Sequence, residues 1–348
     1  MFAAEASALN AVSRASADGP ADWKHIIGSA EPFMQAVSQR LVEQIQAFEP
    51  EIASYAEYAL TGQGKHLRPA LVALSAGASG QVNDSHITVA VIIEMVHLAT
   101  LVHDDVVDDA KVRRGRPTLA AHWGNEISVL LGDCLFAHAL KLAASFPTPD
   151  ICRAVASATN TVCAGEILQN QHRHNLDLSR AEYIKILRMK TGELFALSCD
   201  LGASLSGAPA EQRAALRQYG LAMGTAYQVY DDCLDLFGSE LRVGKSLGTD
   251  LAKGKLTLPL LLVLEKAQAS ERALIRTLVE DWQSSHLPEV KKLLQKHQAL
   301  RQSRLAVQPF LYAARQALLP LPASRSGAGL LALNEYLTQQ IEALRESS

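Results

Sequence analysis

Two copies of one acidic pattern lie in apolar surroundings, and they constrain the fold more than any other feature of the chain. The pattern Asp-Asp-x-x-Asp occurs at Asp104–Asp108 and again at Asp231–Asp235. Because the flanking residues are apolar, folding must bring six carboxylates to or near the interior, where they need cationic partners. The two motifs therefore predict a fold that gathers cations, and divalent metal ions are the first candidates.

The composition limits the function classes. A chain of 348 residues with 48% apolar residues can bury one large core or two ordinary ones. Its formal charge of -3 gives no bulk attraction to nucleic acid or to an anionic membrane. The five cysteines lie in apolar stretches without a Cys-x-x-Cys pair, which is typical of buried thiols in a reducing compartment. We therefore expect a cytoplasmic protein that does not bind nucleic acid.

The N-terminus and the most apolar windows predict neither a signal peptide nor a membrane anchor. Residues 1–21 are rich in Ala and Ser but lack a basic segment followed by an apolar core, so we expect a flexible leader. The windows Val89–Val102 and Leu256–Leu264 are interrupted by charge or are much shorter than the ~20 residues of a membrane span. We expect one domain over residues 22–348.

Apolar residues recur at three- and four-residue spacing along most of the chain, which predicts an all-α protein. The predicted helices are Ile87–Leu101, Ile127–Ala144, Ile151–Leu168, Arg180–Leu205, Glu211–Phe237 and Leu256–Gln268. Clusters of Gly, Pro and Ser predict breaks at Gly62–Gly64, Gly77–Asp84, Arg113–Pro117, Phe146–Pro149, Gly207–Pro209, Gly238–Gly254 and Ala323–Gly329.

Helix geometry places the three aspartates of each motif on one face. With ~100° of rotation per residue, Asp104, Asp105 and Asp108 fall within about 100° of arc. Asp231, Asp232 and Asp235 do the same, whereas Asp109 lies about 140° from Asp104. Oxygen-only ligands favour Mg²⁺, which completes its coordination with water and substrate phosphate. Two facing acidic walls would thus hold a diphosphate through bridging ions, and the alternative for either motif alone is a solvated acidic helix face.

Basic segments follow both motifs. Arg113-Arg114-Gly115-Arg116 comes after the first, and the Gly/Lys-rich segment Gly244–Lys255 comes after the second. Gly allows the backbone to close over a ligand, and Lys and Arg supply charges suited to phosphate oxygens. The pattern predicts phosphate clamps and a lid, although surface turns also carry Gly and Lys.

These blocks together resemble the trans-isoprenyl diphosphate synthases, the polyprenyl synthetase family. The resemblance rests on Leu101–Asp108 with Arg113-Arg114-Gly115, on Tyr227–Asp235, and on Gly244–Pro259, in this order. Lesser blocks agree, namely Gly64–Pro69, Gly165–Gln169 and the pair Lys190-Thr191. Gln63 and His66 depart from the family pattern, which questions the fine geometry of that loop. The family implies an isoprenoid synthase fold, a single-domain orthogonal helical bundle around a central cavity, and a homodimer.

The resemblance also implies roles for individual residues. Three Mg²⁺ ions would be held against an allylic diphosphate by Asp104, Asp105, Asp108, Asp231, Asp232 and Asp235, with Asp235 acting through water. Arg113, Lys190, Lys245 and Lys255 would bind the same diphosphate. Isopentenyl diphosphate would bind a metal-free pocket of Lys65, Arg68, His97 and Arg114. Thr191 and Gln228 would steady the allylic cation, and the released diphosphate would take the proton.

Product length is predicted from two small residues. In the family, the chain grows beside the helix of the first motif, and Ala99 and Thr100 lie about 6 to 7.5 Å before Asp104. An aromatic residue there would stop growth after about two or three isoprene units, whereas Ala and Thr leave the channel open. We therefore expect a long product of about C30 to C50. Candidates for the channel floor are Leu142, Ala143, Phe146 and Val155, each of which could equally be a core residue.

Other functions share parts of this pattern. A terpene cyclase would not need Lys65, Arg68 and Arg114, and a head-to-head synthase uses looser acidic motifs. A synthase of shorter chains and a non-catalytic subunit of a heteromeric synthase remain alternatives, although such subunits lose motif aspartates. The tract His172-Arg173-His174 is interpreted as a solvated turn. An oily product would bring the enzyme into transient contact with a membrane.

Overall fold

The computed structural model describes residues 26, 28–60, 64, 66–238 and 247–345. The helices within these ranges are α1 Glu31–Gln46, α2 Pro50–Leu60, α3 Leu67–Ser79, α4 Asp84–Val107, α5 Leu119–Trp123, α6 Asn125–Ala144, α7 Asp150–Gln171, α8 Arg180–Leu187, α9 Glu193–Leu205, α10 Ala210–Phe237, α11 Thr249–Ala252, α12 Leu258–Leu264, α13 Ala269–Glu280, α14 Leu287–Lys296, α15 Ala299–Ala317 and α16 Arg325–Ala343. A single π-helical turn, Arg188–Gly192, joins α8 to α9, and short 3₁₀ turns lie at Gly28–Ala30 and Ser284–His286.

The prediction of an all-α protein is confirmed, with two local differences. The break predicted at Arg113–Pro117 is a small antiparallel hairpin of β1 Val112–Arg113 and β2 Arg116–Pro117. The break predicted to extend to Gly329 is wrong beyond Ser324, because α16 begins there. Ser324 caps that helix by accepting a hydrogen bond from the Gly327 amide at 3.0 Å, which a count of Gly and Ser does not reveal.

Two apolar clusters fill the bundle, and α3 and α9 separate them. One cluster is centred on α10, α12 and α15, and the other on α4 and α6. Successive residues of α9, such as Leu194 and Phe195, face different clusters, and so do Leu71 and Val72 of α3. Because α4 and α10 are held on opposite sides of this partition, their acidic ends can face a common space.

Glycine permits the close crossing of α9 and α10. A Cβ atom added to Gly220 would lie 2.4 Å from the carbonyl oxygen of Phe195, which is backbone and cannot rotate away. We expect Gly220→Ala to lower the free energy of unfolding by about 2 kcal/mol through overpacking. Chemical denaturation measures the change. Gly28→Ala is the control, because its added Cβ would have no neighbour within 4 Å, and equal stability of both variants would contradict this account.

The five cysteines are free thiols, but their burial differs from the prediction. Cys199 and Cys233 are buried, Cys134 and Cys152 are half-buried, and Cys163 is exposed. The prediction of buried thiols is therefore wrong for Cys163, which is exposed on α7.

By length and composition alone, α4 and α6 could each cross a membrane. In the bundle they pack along each other, and 56% of the most apolar window of α4 is buried. They give only weak evidence for a span, since core helices of soluble proteins have the same character. The predicted leader at residues 1–21, the proposed domain boundary at residue 22, Lys65 and Lys245 lie outside the described residues.

Candidate active site

The first acidic motif forms the C-terminal end of α4. Asp105 is buried, Asp104 is half-buried, and Asp108 ends the helix with its amide bonded to the Asp104 carbonyl. Asp109 adopts a left-handed conformation, and its side chain is 79% exposed. Burial is the main cause of the raised pKa of Asp104. The helix therefore presents charged carboxylates where water is scarce.

The β1–β2 hairpin returns Arg113 to this motif. Arg114 and Gly115 have φ of 51° and 74°, as a tight two-residue hairpin turn requires. Arg113 Nε lies 3.0 Å from both Asp105 oxygens, and Nη2 lies 2.8 Å from Oδ1. Arg113, predicted to bind diphosphate, is thus paired with Asp105 in this structure.

Lys190 projects from the π-helical turn toward the same motif. Its Nζ contacts a Glu166 oxygen, donates to Gln169 Oε1 at 2.9 Å and lies 3.5 Å from Asp104 Oδ2. Gly165 makes this approach possible, because an added Cβ would be 2.8 Å from the Lys190 amide. The inserted π turn re-aims the side chain, as such turns often do at functional sites.

Asp108 collects three cations. Arg173 Nη2 donates to Oδ1 at 2.6 Å, and Lys253 and Lys255 donate to Oδ2 at 3.0 and 2.7 Å. Burial opposes ionisation of Asp108, but the two lysines outweigh it and lower its pKa to about 2. Lys255 follows the second acidic motif in sequence, so this cluster joins the two halves of the site. The segment His172–His174 is a turn, as interpreted, but Arg173 is not solvated there, because its side chain contacts Asp108.

Two carboxylates of the second motif, on α10, are buried and bonded to protein groups, and the third is exposed. Asp232 accepts hydrogen bonds from Tyr183 Oη at 2.5 Å and Gln228 Nε2 at 2.9 Å. Burial raises the pKa of Asp232 to about 6. Asp235 accepts from the Thr249 amide and hydroxyl at 3.2 and 2.6 Å, whereas Asp231 is exposed.

Thr191 and Gln228 extend this network. The Thr191 hydroxyl donates to Gln228 Oε1 at 2.8 Å, and the Gln228 amide donates to Asp232. Both side chains are thereby fixed in orientation. Their predicted role, steadying a developing cation with oxygen dipoles, stays a prediction.

A small polar cavity lies between the motifs. It has a volume of about 60 Å³ and is lined by Gln169, Leu187, Lys190, Gln228, Asp232, Asp250, Lys255 and Thr257. Two of its lining lysines, Lys190 and Lys255, contact the aspartates of the first motif. The cavity therefore connects the two acidic faces.

The donor set around this cavity fits Mg²⁺ in chemistry but is not a preformed cage. Its oxygens are carboxylates, amides and hydroxyls, as Mg²⁺ prefers. Within the described parts of the chain, no three carboxylate, imidazole or thiol groups already converge on one point. The side-chain ammonium groups of lysines contact the carboxylates instead. A metal ion would therefore displace Lys190 from Asp104, and Lys253 and Lys255 from Asp108.

A second basic region surrounds Arg68. This side chain is half-buried over the ring of Phe195, and its buried Nε has no hydrogen-bond partner among the described residues. Burial, reinforced by Arg68 and Arg114, places the pKa of His97 well below its usual range. The structure thus brings together Arg68, His97 and Arg114, three of the four residues predicted to bind isopentenyl diphosphate. An anion would satisfy the unpaired Nε and the surplus positive charge.

Comparison with known proteins identifies the family. Residues 49–297 match the model of the polyprenyl synthetase family. The chain belongs to the polyprenyl synthetase family. It is accordingly an enzyme of the prenyltransferase class.

Individual relatives agree with the family. The octaprenyl diphosphate synthase of Haemophilus influenzae is 35% identical over 87% of this chain and 93% of its own length. The crystal structure of a decaprenyl diphosphate synthase from Rhodobacter capsulatus has a TM-score of 0.87, with 34% identity over 93% of this chain and all of that one. A polyprenyl synthase from Caulobacter crescentus, complexed with calcium and isoprenyl diphosphate, has a TM-score of 0.87, with 32% identity over 92% and 98% of the two chains. The isoprenoid synthase fold expected from the motifs is therefore confirmed.

The residues predicted to limit product length lie in one apolar cluster. Ala99, Ala143 and Val155 are fully buried there, and Leu142 and Phe146 pack against them. Thr100 is half-buried, and its hydroxyl donates to the His97 carbonyl at 2.7 Å. Most of these positions lie on α4, α6 and α7, and their role in chain length stays a prediction.

Four functional candidates were not singled out by sequence. Glu166 contacts Lys190, Tyr183 orients Asp232, and Arg173 and Lys253 contact Asp108. Glu166 lies in a block that resembles the family, so that signal was available. Lys253 lies in the predicted Gly244–Lys255 segment, whereas Arg173 and Tyr183 are found only when distant segments fold together.

Proposed function

We propose that this enzyme condenses an allylic diphosphate with isopentenyl diphosphate, head to tail (1′-4), in a Mg²⁺-dependent reaction. The product would be an all-trans polyprenyl diphosphate of about C30 to C50. The observation that carries the proposal is the contact of Lys255, which follows the second motif, with Asp108 of the first at 2.7 Å. That contact joins two acidic motifs and a mobile cation around one cavity, as binding of a metal–diphosphate requires.

The chain's own residues divide the work. The six motif aspartates, Asp104, Asp105, Asp108, Asp231, Asp232 and Asp235, would hold the metal ions, and at Asp108 the metal would displace the cations that contact it now. Lys190, Lys255, Arg113 and Lys245 would neutralise the departing diphosphate. The metal ions, when bound, would supply further stabilisation of the charge that develops on the leaving group. Three ions are expected with substrate bound, and the Caulobacter crescentus polyprenyl synthase, complexed with calcium and isoprenyl diphosphate, supports this kind of site.

Isopentenyl diphosphate would bind at Arg68, His97, Arg114 and Lys65. The unpaired Nε of Arg68 supplies a donor that only an anion or water can use. With its pKa held low, His97 stays neutral and can donate one hydrogen bond without adding charge. The double bond would then attack the allylic cation, and the released diphosphate would accept the proton.

A long product is supported by the small side chains at the end of α4. Ala99 and Thr100 are small where an aromatic side chain would block the proposed path, and the bulkier Phe146 packs against the same apolar cluster. The relatives named octaprenyl and decaprenyl diphosphate synthases support the same range.

A homodimer is proposed from an exposed apolar face. Leu130 and Leu140 of α6 and Ile167 of the adjacent α7 are 60%, 38% and 59% exposed. A second copy of the chain would cover these residues. The enzyme would act in the cytoplasm, with transient contact between its oily product and the membrane.

We expect Leu130→Glu to shift a dimer toward monomer, because it places a charge in the proposed apolar interface. Light scattering coupled to size exclusion measures the mass. Tyr312→Glu, at a 65% exposed position on α15, is the matched control and should leave the dimer intact. A Leu130→Glu dimer as stable as the wild type would place the interface elsewhere.

The direct test of the reaction is turnover with defined substrates. Purified protein is incubated with farnesyl diphosphate and labelled isopentenyl diphosphate, with Mg²⁺ or with EDTA. Incorporation of label that depends on Mg²⁺ supports the proposal. Absence of incorporation, or release of a cyclic hydrocarbon without consumption of isopentenyl diphosphate, would reject it.

A further inference from the structure

The turn after α7 is part of the active-site wall. Arg173 reaches from this turn to Asp108, and its side chain is only 26% exposed. The next residue, His174, has φ of 59° and donates its backbone amide to the Gly254 carbonyl at 2.7 Å. A Cβ on Gly254 would lie 2.3 Å from His174 Nε2, so the His174 ring packs directly on the backbone of Gly254. Arg173 and the segment Lys253–Lys255 therefore form one connected unit.

The charges in this unit do not balance. Asp108 carries one negative charge but receives Arg173, Lys253 and Lys255 at 2.6 to 3.0 Å. Asp104 and Glu166 also interact with Lys255, but they share Lys190, which leaves four cations against three carboxylates. Surplus positive charge in a partly buried cluster is unfavourable unless an anion completes it.

A hydrogen-bond donor of Arg173 that lacks a partner in the described structure also indicates an anion site. Arg173 Nε is buried and has no hydrogen-bond partner in the described structure, although Nη2 is bonded to Asp108. A planar guanidinium with a free edge is suited to the oxygens of phosphate.

We propose that Arg173 and Lys253, with Lys255, are a receptor for diphosphate oxygens that Asp108 holds in place until Mg²⁺ binds. This inference rests on the proposed function and assigns two further residues to its diphosphate site. When a metal ion binds Asp108, Arg173, Lys253 and Lys255 no longer pair with that carboxylate. They bind instead to oxygens of the diphosphate that arrives with the metal. In the metal-free enzyme the same cations compete with Mg²⁺ for Asp108.

The proposal predicts opposite effects of one substitution on two ligands. Arg173→Ala should weaken binding of inorganic diphosphate in the presence of Mg²⁺ by about tenfold, the loss of one charge-assisted hydrogen bond. It should leave binding of Mg²⁺ alone unchanged or tighter, because one competitor for Asp108 is gone. Isothermal titration calorimetry of the full-length protein measures both affinities without turnover.

Two further variants serve as controls. Arg173→Lys keeps the charge and should retain most of the diphosphate affinity. Arg180→Ala removes a nearby arginine that pairs with Glu265 on the surface, and it should bind both ligands as the wild type does.

The outcomes separate the inference from the proposed function. If wild-type protein binds Mg²⁺ and diphosphate but Arg173→Ala binds diphosphate equally well, the inference is wrong and the proposed function stands. If Arg173→Ala weakens both ligands together and lowers the thermal midpoint, Arg173 has only a structural role. If the wild type itself does not bind diphosphate with Mg²⁺, both are overturned.

Discussion

Asp104→Asn is expected to lower turnover by about 10³-fold or more, because it removes a carboxylate that is proposed to bind the metal ions, and these ions stabilise the departing diphosphate. The substitution keeps the shape of a half-buried side chain whose nearest described cation is Lys190 at 3.5 Å. Loss of a carboxylate whose pKa burial has already raised should not unfold the helix end, and it should stabilise the metal-free protein slightly. The effect should therefore appear in turnover and not in the thermal midpoint.

The motif offers its own control. Asp109 is adjacent in sequence, but its side chain is 79% exposed and paired with Lys111. Asp109→Asn should retain activity within about twofold of the wild type, since exposed pairs contribute little. Incorporation of labelled isopentenyl diphosphate at saturating Mg²⁺ compares the two variants. Equal activity of Asp104→Asn and Asp109→Asn would remove the first motif from the mechanism.

Ala99→Tyr is expected to shorten the product to about C15 to C20, since a large ring one turn before the motif would close the path of the growing chain. Ala99 is fully buried in the apolar cluster that includes side chains of α4 and α6, and a ring there would block the path proposed for the growing chain. Dephosphorylated products are separated by chain length on a reversed-phase column. The rate of the first condensation should change less than the final length.

A second variant separates blockage from damage to the core. Ala99→Ser is nearly isosteric, and its hydroxyl can donate to the preceding helical turn, so it should give products of wild-type length. Overpacking a solid core would instead lower stability by about 1 to 3 kcal/mol without changing product length. A stable Ala99→Tyr enzyme that still makes the wild-type product would mean that the chain grows elsewhere.

The sequence predicted most of the fold because its signals are local. Helical spacing located the long helices, and the two acidic motifs lie at the ends of α4 and α10, although α4 continues six residues beyond the predicted end at Leu101. The hairpin at Arg113–Arg116 was only predicted as a break, because two-residue strands leave no periodic pattern. The start of α16 at Arg325 was missed because its Gly and Ser content resembles that of a loop.

The contacts within the site were harder to predict from sequence, because the residues that meet there are distant along the chain. Helix geometry placed three aspartates of each motif on one face, but it could not assign Arg113 to Asp105 or Tyr183 to Asp232. The tract that contains Arg173 was interpreted as a solvated turn because its neighbours are polar. Its role depends on a contact with Asp108 across 65 residues, which a local pattern does not encode.

The most direct test of the account is the length of the chain that the wild-type enzyme makes from farnesyl diphosphate and excess isopentenyl diphosphate with Mg²⁺. Mass spectrometry of the dephosphorylated product measures it. The account predicts a linear all-trans alcohol of about C30 to C50, and none when EDTA replaces Mg²⁺. A product that stops at C15 or C20, or a cyclic hydrocarbon, would contradict it.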